Sequence, residues 1–188
     1  ELCQLHNIGT YIFASTCSVY GSQPNSLITE KSACVPFDFY AKQKYLSERA
    51  TGWLNRAPTI LRFGTLFGFS PRMRFDLTVN EFTKDLSLGK ELIIFGEQFW
   101  RPYCHVKDFS NAFITVLRSP TEKVAYNVFN VGDTSENYTK QMLIDEIKKV
   151  IPDSIIKYIE KNEDPRNYRV NSDKIKRELG FKITMRVP

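Results

Sequence analysis

The sequence predicts an α/β fold in which a parallel sheet carries helices on its faces. Two observations lead to this. Short apolar runs at residues 10–14 and 57–63 read as buried strands, and residues 38–52 between them carry a helical pattern. Strand–helix–strand order of this kind joins parallel neighbours. The alternation returns downstream, with helical patterns at 75–88 and 108–117 and strand-like runs at 91–95 and 126–131. In a chain of 188 residues, 42% hydrophobic and 25% charged residues are ordinary for a globular protein. The length suffices for one compact domain or a large part of a two-lobed one.

Taken in order, residues 1–8 have the character of a helix tail, closed by Asn7 and Gly9 ahead of the strand at 10–14. The strand runs into small hydroxylic residues, Ser15 and Thr16. Residues 22–36 are polar and interrupted by Pro24, Asn25 and Pro36, which predicts a surface loop. The helix at 38–52 stops near Gly52, and the strand at 57–63 ends in a loop at 64–71. Ligands of open α/β sheets bind at such carboxyl ends. The helix at 75–88 carries Asn80 near its middle; a short strand at 91–95 and a turn at 96–99 follow. In the next strand Tyr103, His105 and Lys107 alternate, and Asp108 has the character of a helix N-cap. Thr139 caps a helix at 140–150 ahead of Pro152, and residues 155–159 form a last strand.

Tyr40 and Lys44 lie four residues apart on the predicted helix and therefore share a face. A free tyrosine, with a pKa near ~10, is a poor base at neutral pH. A fixed lysine, helped by the charge of a nearby cofactor, stabilises the phenolate. Thr16, waiting at a strand end, offers a hydroxyl to the same substrate oxygen. Such a set suits removal of a proton from an alcohol while a hydride leaves the carbon. The spacing alone decides little, because Tyr103 and Lys107 repeat it. That second pair sits in a strand pattern and does not share a helical face.

Ser15-Thr16-Cys17-Ser18-Val19-Tyr20-Gly21 followed by Tyr40-x-x-x-Lys44 closely resembles the extended short-chain dehydrogenase/reductase family, specifically its nucleotide-sugar epimerases and dehydratases. The resemblance continues through Leu61-Arg62-Phe63-Gly64-Thr65-Leu66-Phe67-Gly68, Arg101-Pro102-Tyr103-Cys104-His105-Val106-Lys107-Asp108 and Phe129-Asn130-Val131-Gly132. It ends in Asp164-Pro165-Arg166-Asn167-Tyr168 and Lys176-Arg177-Glu178-Leu179-Gly180-Phe181. It implies a partial Rossmann-like parallel sheet plus a smaller C-terminal α/β substrate-binding lobe. No glycine-rich dinucleotide turn occurs in the sequence, so the expected correspondence is to the C-terminal part of such an enzyme. Residues 1–63 would be the end of the NAD-binding domain. Residues 64–188 would be mainly substrate lobe, with 101–118 returning to the first domain.

The resemblance also implies roles. Tyr40 would deprotonate a sugar hydroxyl, normally that on C4, while the hydride passes to NAD, with NADP left open. Lys44 would lower the Tyr40 pKa and bind the nicotinamide ribose, and Thr16 would orient the hydroxyl. Phe63 would flank the nicotinamide, a plain core phenylalanine being the alternative. Asn80 would bond the substrate diphosphate, or be a polar helix residue and no more. Arg101 would grip phosphate through its planar fork, or form a surface ion pair. Asp164 and Arg166 are candidate contacts to the nucleotide ribose and phosphate. Gly64 stands where the family commonly has Asn, and His105 reads as structural. The implied activity is a nucleotide-sugar 4-epimerase acting by transient oxidation on a nucleotide-diphosphate sugar. A keto-sugar reductase is the enzymatic alternative. A 4,6-dehydratase ranks lower, because Cys17-Ser18 replaces the Asp-Glu that usually follows the threonine. A truncated, non-catalytic sugar-nucleotide-binding or self-associating fragment is the alternative of another class.

Other classes fit less well. Cys3, Cys17, Cys34 and Cys104 lack metal or disulfide spacing, which predicts reduced thiols and no metal centre. The net charge of +5 is spread among acids without a basic block, so no nucleic-acid partner is expected. No apolar run could span a bilayer, and the first residues lack a signal-peptide pattern, so a cytoplasmic location is expected. The resemblance implies a homodimer formed through the helix that bears Tyr40.

Overall fold

The computed structural model describes residues 2–6, 8–53, 57–164 and 166–187. In chain order the elements are α1 (Leu2–Leu5), β1 (Tyr11–Thr16), a 3-10 turn (Cys17–Tyr20), β2 (Gln23–Ile28), α2 (Phe39–Thr51) and β3 (Pro58–Phe63). They continue with β4 (Thr65–Phe67), α3 (Thr78–Ser87), β5 (Leu92–Phe95), β6 (Trp100–His105), α4 (Val106–Arg118) and α5 (Thr121–Val124). The last are β7 (Val128–Val131), β8 (Asn137–Thr139), α6 (Lys140–Val150), β9 (Ile156–Ile159), β10 (Tyr168–Val170) and α7 (Asp173–Leu179).

The two apolar runs that opened the sequence argument become neighbours. β1, β3 and β7 form a parallel sheet in that order, with α2 crossing from β1 to β3. The register puts Thr16 beside Phe63 and Phe63 beside Val131, so all three strands end at one level. Against this sheet packs a core of Leu61, Val116, Phe129, Ile175 and their neighbours, with Phe109 and Phe113 of α4 stacked on Phe63. The smaller strands assemble separately: β4-β6-β8, β5-β9 and β10-β2. A second core of Phe82, Leu86, Leu92, Ile94 and Ile144 joins α3, β5 and α6.

Several expectations need correction. Residues 22–36 are not all loop, because Gln23–Ile28 pairs in parallel with Tyr168–Val170. Four of its six residues face solvent, which explains the polar sequence, and Pro24 sits among those exposed positions. Likewise the loop at 64–71 contains β4, which pairs with β6. Helix α3 begins at Thr78, three residues later than its apolar pattern. β7 begins at Val128 because Tyr126, at φ 57°, holds a left-handed turn just before it. The N-cap of α4 is His105, whose Nδ1 accepts from the Lys107 N–H at 3.1 Å. Asp108 is instead buried one turn inside, accepting the N–H groups of Thr184 and Met185 and the Thr184 hydroxyl. The proposed closure at Asn7 lies outside the described residues.

Candidate active site

Helix α2 carries the tyrosine and the lysine because Asp38 starts it where it does. Its carboxylate accepts the Ala41 N–H at 2.8 Å and fixes the first turn, on which Tyr40 sits. Lys44, one turn on, reaches down to β1 and donates to the Ala14 carbonyl at 2.8 Å. Glu48, another turn on, accepts from the Ser15 hydroxyl at 2.5 Å. Two successive residues of β1 therefore hold two successive turns of α2.

Glu48 belongs to a sealed network. Its carboxylate takes Arg62 Nε at 2.9 Å and Nη2 at 2.6 Å, a two-pronged pair whose side chains are 4% and 6% exposed. Arg62 Nη1 donates to the Tyr20 hydroxyl at 2.9 Å, and Tyr20 donates to Asn130 Oδ1 at 2.7 Å. The chain of contacts crosses from α2 through β3 to β7. Burial opposes the Arg62 charge, but Glu48 and Tyr20 outweigh it and hold the guanidinium protonated. Burial pushes the Tyr20 phenol above its ordinary range.

Above this network opens a cavity of about 770 Å³ at the carboxyl ends of β1 and β3. Thr16, Tyr40, Lys44 and Phe63 line it, and so do Arg101, Asp164 and Arg166. Thr16 Oγ1 caps the 3-10 turn through the Ser18 N–H at 3.1 Å and bonds Ser18 Oγ at 3.2 Å. Arg101, in β6, donates from Nη2 to Asp164 Oδ2 at 2.8 Å and from Nη1 to the carbonyls of Trp100 and Arg166. Burial raises the Asp164 carboxyl, but Arg101 and the Arg166 N–H outweigh it and hold it below its ordinary range. Tyr168 is also in the lining, its hydroxyl 3.5 Å from Ser18 Oγ and its pKa pushed up to about 12 by burial.

Tyr40, on a helix beside parallel strand ends, thus lines a recess that also holds several cations. The model of the NAD dependent epimerase/dehydratase family matches residues 1–132. The chain belongs to this family. Similar proteins include an uncharacterized UDP-glucose epimerase, YtcB, of Bacillus subtilis (strain 168), 32% identical over 125 residues that cover 64% of this chain and 39% of that one. UDP-glucuronate 4-epimerase 4 of Arabidopsis thaliana is 27% identical over 207 residues, 98% of this chain and 47% of that one. The chain thus spans about half the length, or less, of these curated relatives. In fold it is similar to the crystal structure of UDP-glucuronic acid 4-epimerase from Bacillus cereus, with a TM-score of 0.81, 22% identity and coverage of 95% of this chain and 57% of that one.

Within the family frame, one candidate lies elsewhere. Asn80 lines a separate, mainly apolar recess of about 410 Å³ with Phe67, Met73 and Phe75. Its amide is taken: Oδ1 accepts the Gly68 N–H and Nδ2 donates to the Arg74 carbonyl, both at 2.9 Å. Asn80 therefore latches a loop, and Thr78 at the start of α3 lines the main cavity in its place. Gly64 has a local cause too, since a Cβ there would stand 2.7 Å from the Pro102 carbonyl oxygen. His105 packs its ring against Gly68 and edge-on to Phe67, which accounts for it structurally. Phe63 borders the cavity while stacking on Phe109 with ring centroids 3.6 Å apart, so it serves the core as well.

The electrostatics around Tyr40 differ from expectation. Burial and the Asp38 carboxylate raise its pKa, against smaller lowering effects from the Thr16 hydroxyl and the Arg74 charge. The Lys44 ammonium donates to the Ala14 carbonyl and lies 5.1 Å from the Phe13 ring centroid and 5.9 Å from that of Tyr40. Sequence reasoning also missed Asp38, Arg74, Asp76 and Lys140 in the cavity lining. Asp38 was readable as a cap; the direction in which Lys140 points was not.

Proposed function

We propose that the chain carries the reactive end of an NAD-dependent nucleotide-sugar 4-epimerase. The observation that supports it is that one cavity is lined both by Thr16, Tyr40 and Lys44 and by Arg101, Asp164 and Arg166. A sugar joined to a nucleotide diphosphate has the matching polarity, alcohols at one end and phosphate charge at the other. The donor set at the strand ends fits the nicotinamide-ribose part of NAD: Lys44 supplies an ammonium for ribose hydroxyls, and Phe63 an apolar edge. Bound there, NAD would supply a reversible hydride acceptor.

The protein's own part is proton handling and positioning. Tyr40 takes the proton of the C4 hydroxyl and returns it after the sugar presents its other face. Thr16 donates to the same oxygen and keeps it within reach. With its phenol raised in the chain alone, Tyr40 needs added positive charge to act as a base near neutrality, and a cationic nicotinamide is such a charge. Elimination of water, as in a 4,6-dehydratase, would need a further acid and base. Cys17-Ser18 stands where dehydratases usually carry Asp-Glu after the threonine, which favours epimerisation. We include in the proposal a cytoplasmic location and a homodimer. No described helix is long and apolar enough to cross a membrane, and Leu46 of α2 with Ile114 and Leu117 of α4 are exposed apolar side chains suited to self-association.

The test is conversion of UDP-glucose and UDP-glucuronate to their C4 epimers with NAD, for the protein and its Tyr40→Phe variant. The expected loss in the variant is about 10²–10⁴-fold in kcat, the usual contribution of a positioned general base. Turnover that survives the substitution would overturn the assignment.

A further inference from the structure

One part of the cavity lining holds more positive charge than its own carboxylate balances. Arg101, Lys140 and Arg166 line the cavity with Asp164, and Arg101, Arg166 and Asp164 all act electrostatically on Lys140. Asp164 is already divided, one oxygen accepting Arg101 Nη2 and the other the Arg166 N–H, with Arg166 Nε 3.9 Å away. Arg101 is largely engaged as well. Its guanidinium donates to two carbonyls and one carboxylate, lies over the Tyr168 ring at 5.8 Å, and is 12% exposed. It acts as a strut for the loop that includes Asp164 and Arg166, so less of it is available to a ligand than its sequence motif suggests.

Lys140 is in a different position. It is the first residue of α6, directly after the Thr139 cap, and its Nζ donates to the carbonyl of Phe95 at 2.6 Å. Among the described residues no carboxylate lies within 4.0 Å of it. An ammonium carries three donors, so two remain. A half-buried cation with a neutral partner is costly to keep, and an apolar side chain of like length would pack there without that cost. Burial pushes its pKa down, and Arg101, Lys161 and Arg166 push the same way against Asp164. Of the residues that line the cavity here, three cations less one carboxylate leave two positive charges, and Lys161 outside the lining adds to the field. A diphosphate ester carries two negative ones.

We propose that Lys140, together with Arg166, grips the diphosphate of the nucleotide substrate, while Arg101 holds the loop that brings Arg166 into place. This rests on the nucleotide-sugar reading of the cavity, but not on turnover. It is tested by calorimetric titration of the chain with UDP and with uridine, in parent, Lys140→Met and Lys140→Arg forms, each checked for an unchanged melting temperature. Loss of one charge-assisted contact should weaken UDP binding about 10- to 100-fold in Lys140→Met. Uridine binding should stay unchanged, Lys140→Arg should recover most of the UDP affinity, and the salt dependence for UDP should become shallower in Lys140→Met. The inference is overturned if Lys140→Met binds UDP as the parent does, if UDP and uridine weaken together, or if the parent binds no UDP. Lys140-dependent UDP binding in a chain without Tyr40-dependent turnover would leave this inference standing and remove the epimerase reading.

Discussion

Two arginine–carboxylate clusters adjoin the cavity, one bonded to its Ser15 and the other in its lining, and they differ in closure and in charge balance. Glu48 and Arg62 are matched one to one, excluded from water and bonded on to Ser15, Tyr20 and Asn130. Around Asp164 the cations outnumber the carboxylate, and Arg166 remains largely exposed. The same functional groups thus fix the position of α2 in one place and leave an excess of positive charge in the other. Balance and burial decide which.

The largest effect should come from unbalancing the closed cluster. Glu48→Ala leaves a buried guanidinium without its partner and should cost about 3–5 kcal/mol, a large share of a domain's stability. Replacing both members, as Glu48→Met with Arg62→Leu, should recover most of that loss in urea denaturation, because no orphan charge remains. A double variant as unstable as Glu48→Ala would show that hydrogen bonds to Ser15 and Tyr20, and not charge balance, hold the helix.

A smaller effect is expected at the open cluster. Arg101→Met should free the loop around Asp164 for a loss of about 1–3 kcal/mol, seen as faster proteolysis between residues 160 and 167 with the rest of the chain intact. Acid should do the same. The Asp164 carboxyl is held below its unfolded value near ~3.9, so its contribution is complete above that pH and is lost as pH falls through the lower folded value. Protease sensitivity of the loop should therefore rise below about pH 4 in the parent, and Asp164→Asn should show it already at pH 7. The smallest effect belongs to Arg74 and Asp76, both well exposed. Arg74→Ala should leave the melting temperature unchanged, since exposed pairs contribute little.

The parts of the fold that could be read in advance were those in which local pattern and tertiary role agree. Helix α2, its Tyr40–Lys44 face and the strand ends carrying Thr16 and Phe63 follow from apolar runs and helical spacing. Strands β2, β4, β8 and β10 did not, because they are short or polar and exist through partners distant in sequence. For Asn80 the sequence leaves two readings, a diphosphate contact and a polar helix residue, because a mid-helix amide can turn to a ligand or to a neighbouring loop; in the structure it bonds Gly68 and Arg74. Lys140 carried no motif at all. Its place in the cavity lining goes with a bond to the Phe95 carbonyl of β5, a partner 45 positions away.

The pairing of β2 with β10 has a kinetic consequence. Ser18 and Tyr168, which meet at the cavity wall next to that pairing, are separated by 150 positions. Closing so long a stretch of chain has an entropic cost that grows with the logarithm of its length, and topologies dominated by such contacts fold slowly. During synthesis the β1–α2–β3 unit can form as soon as its residues emerge, while the wall built from Asp164 to Tyr168 must wait for nearly all of this sequence. The part of the cavity that bears Tyr40 should therefore take shape early, and the part that bears Asp164 and Arg166 should complete it last.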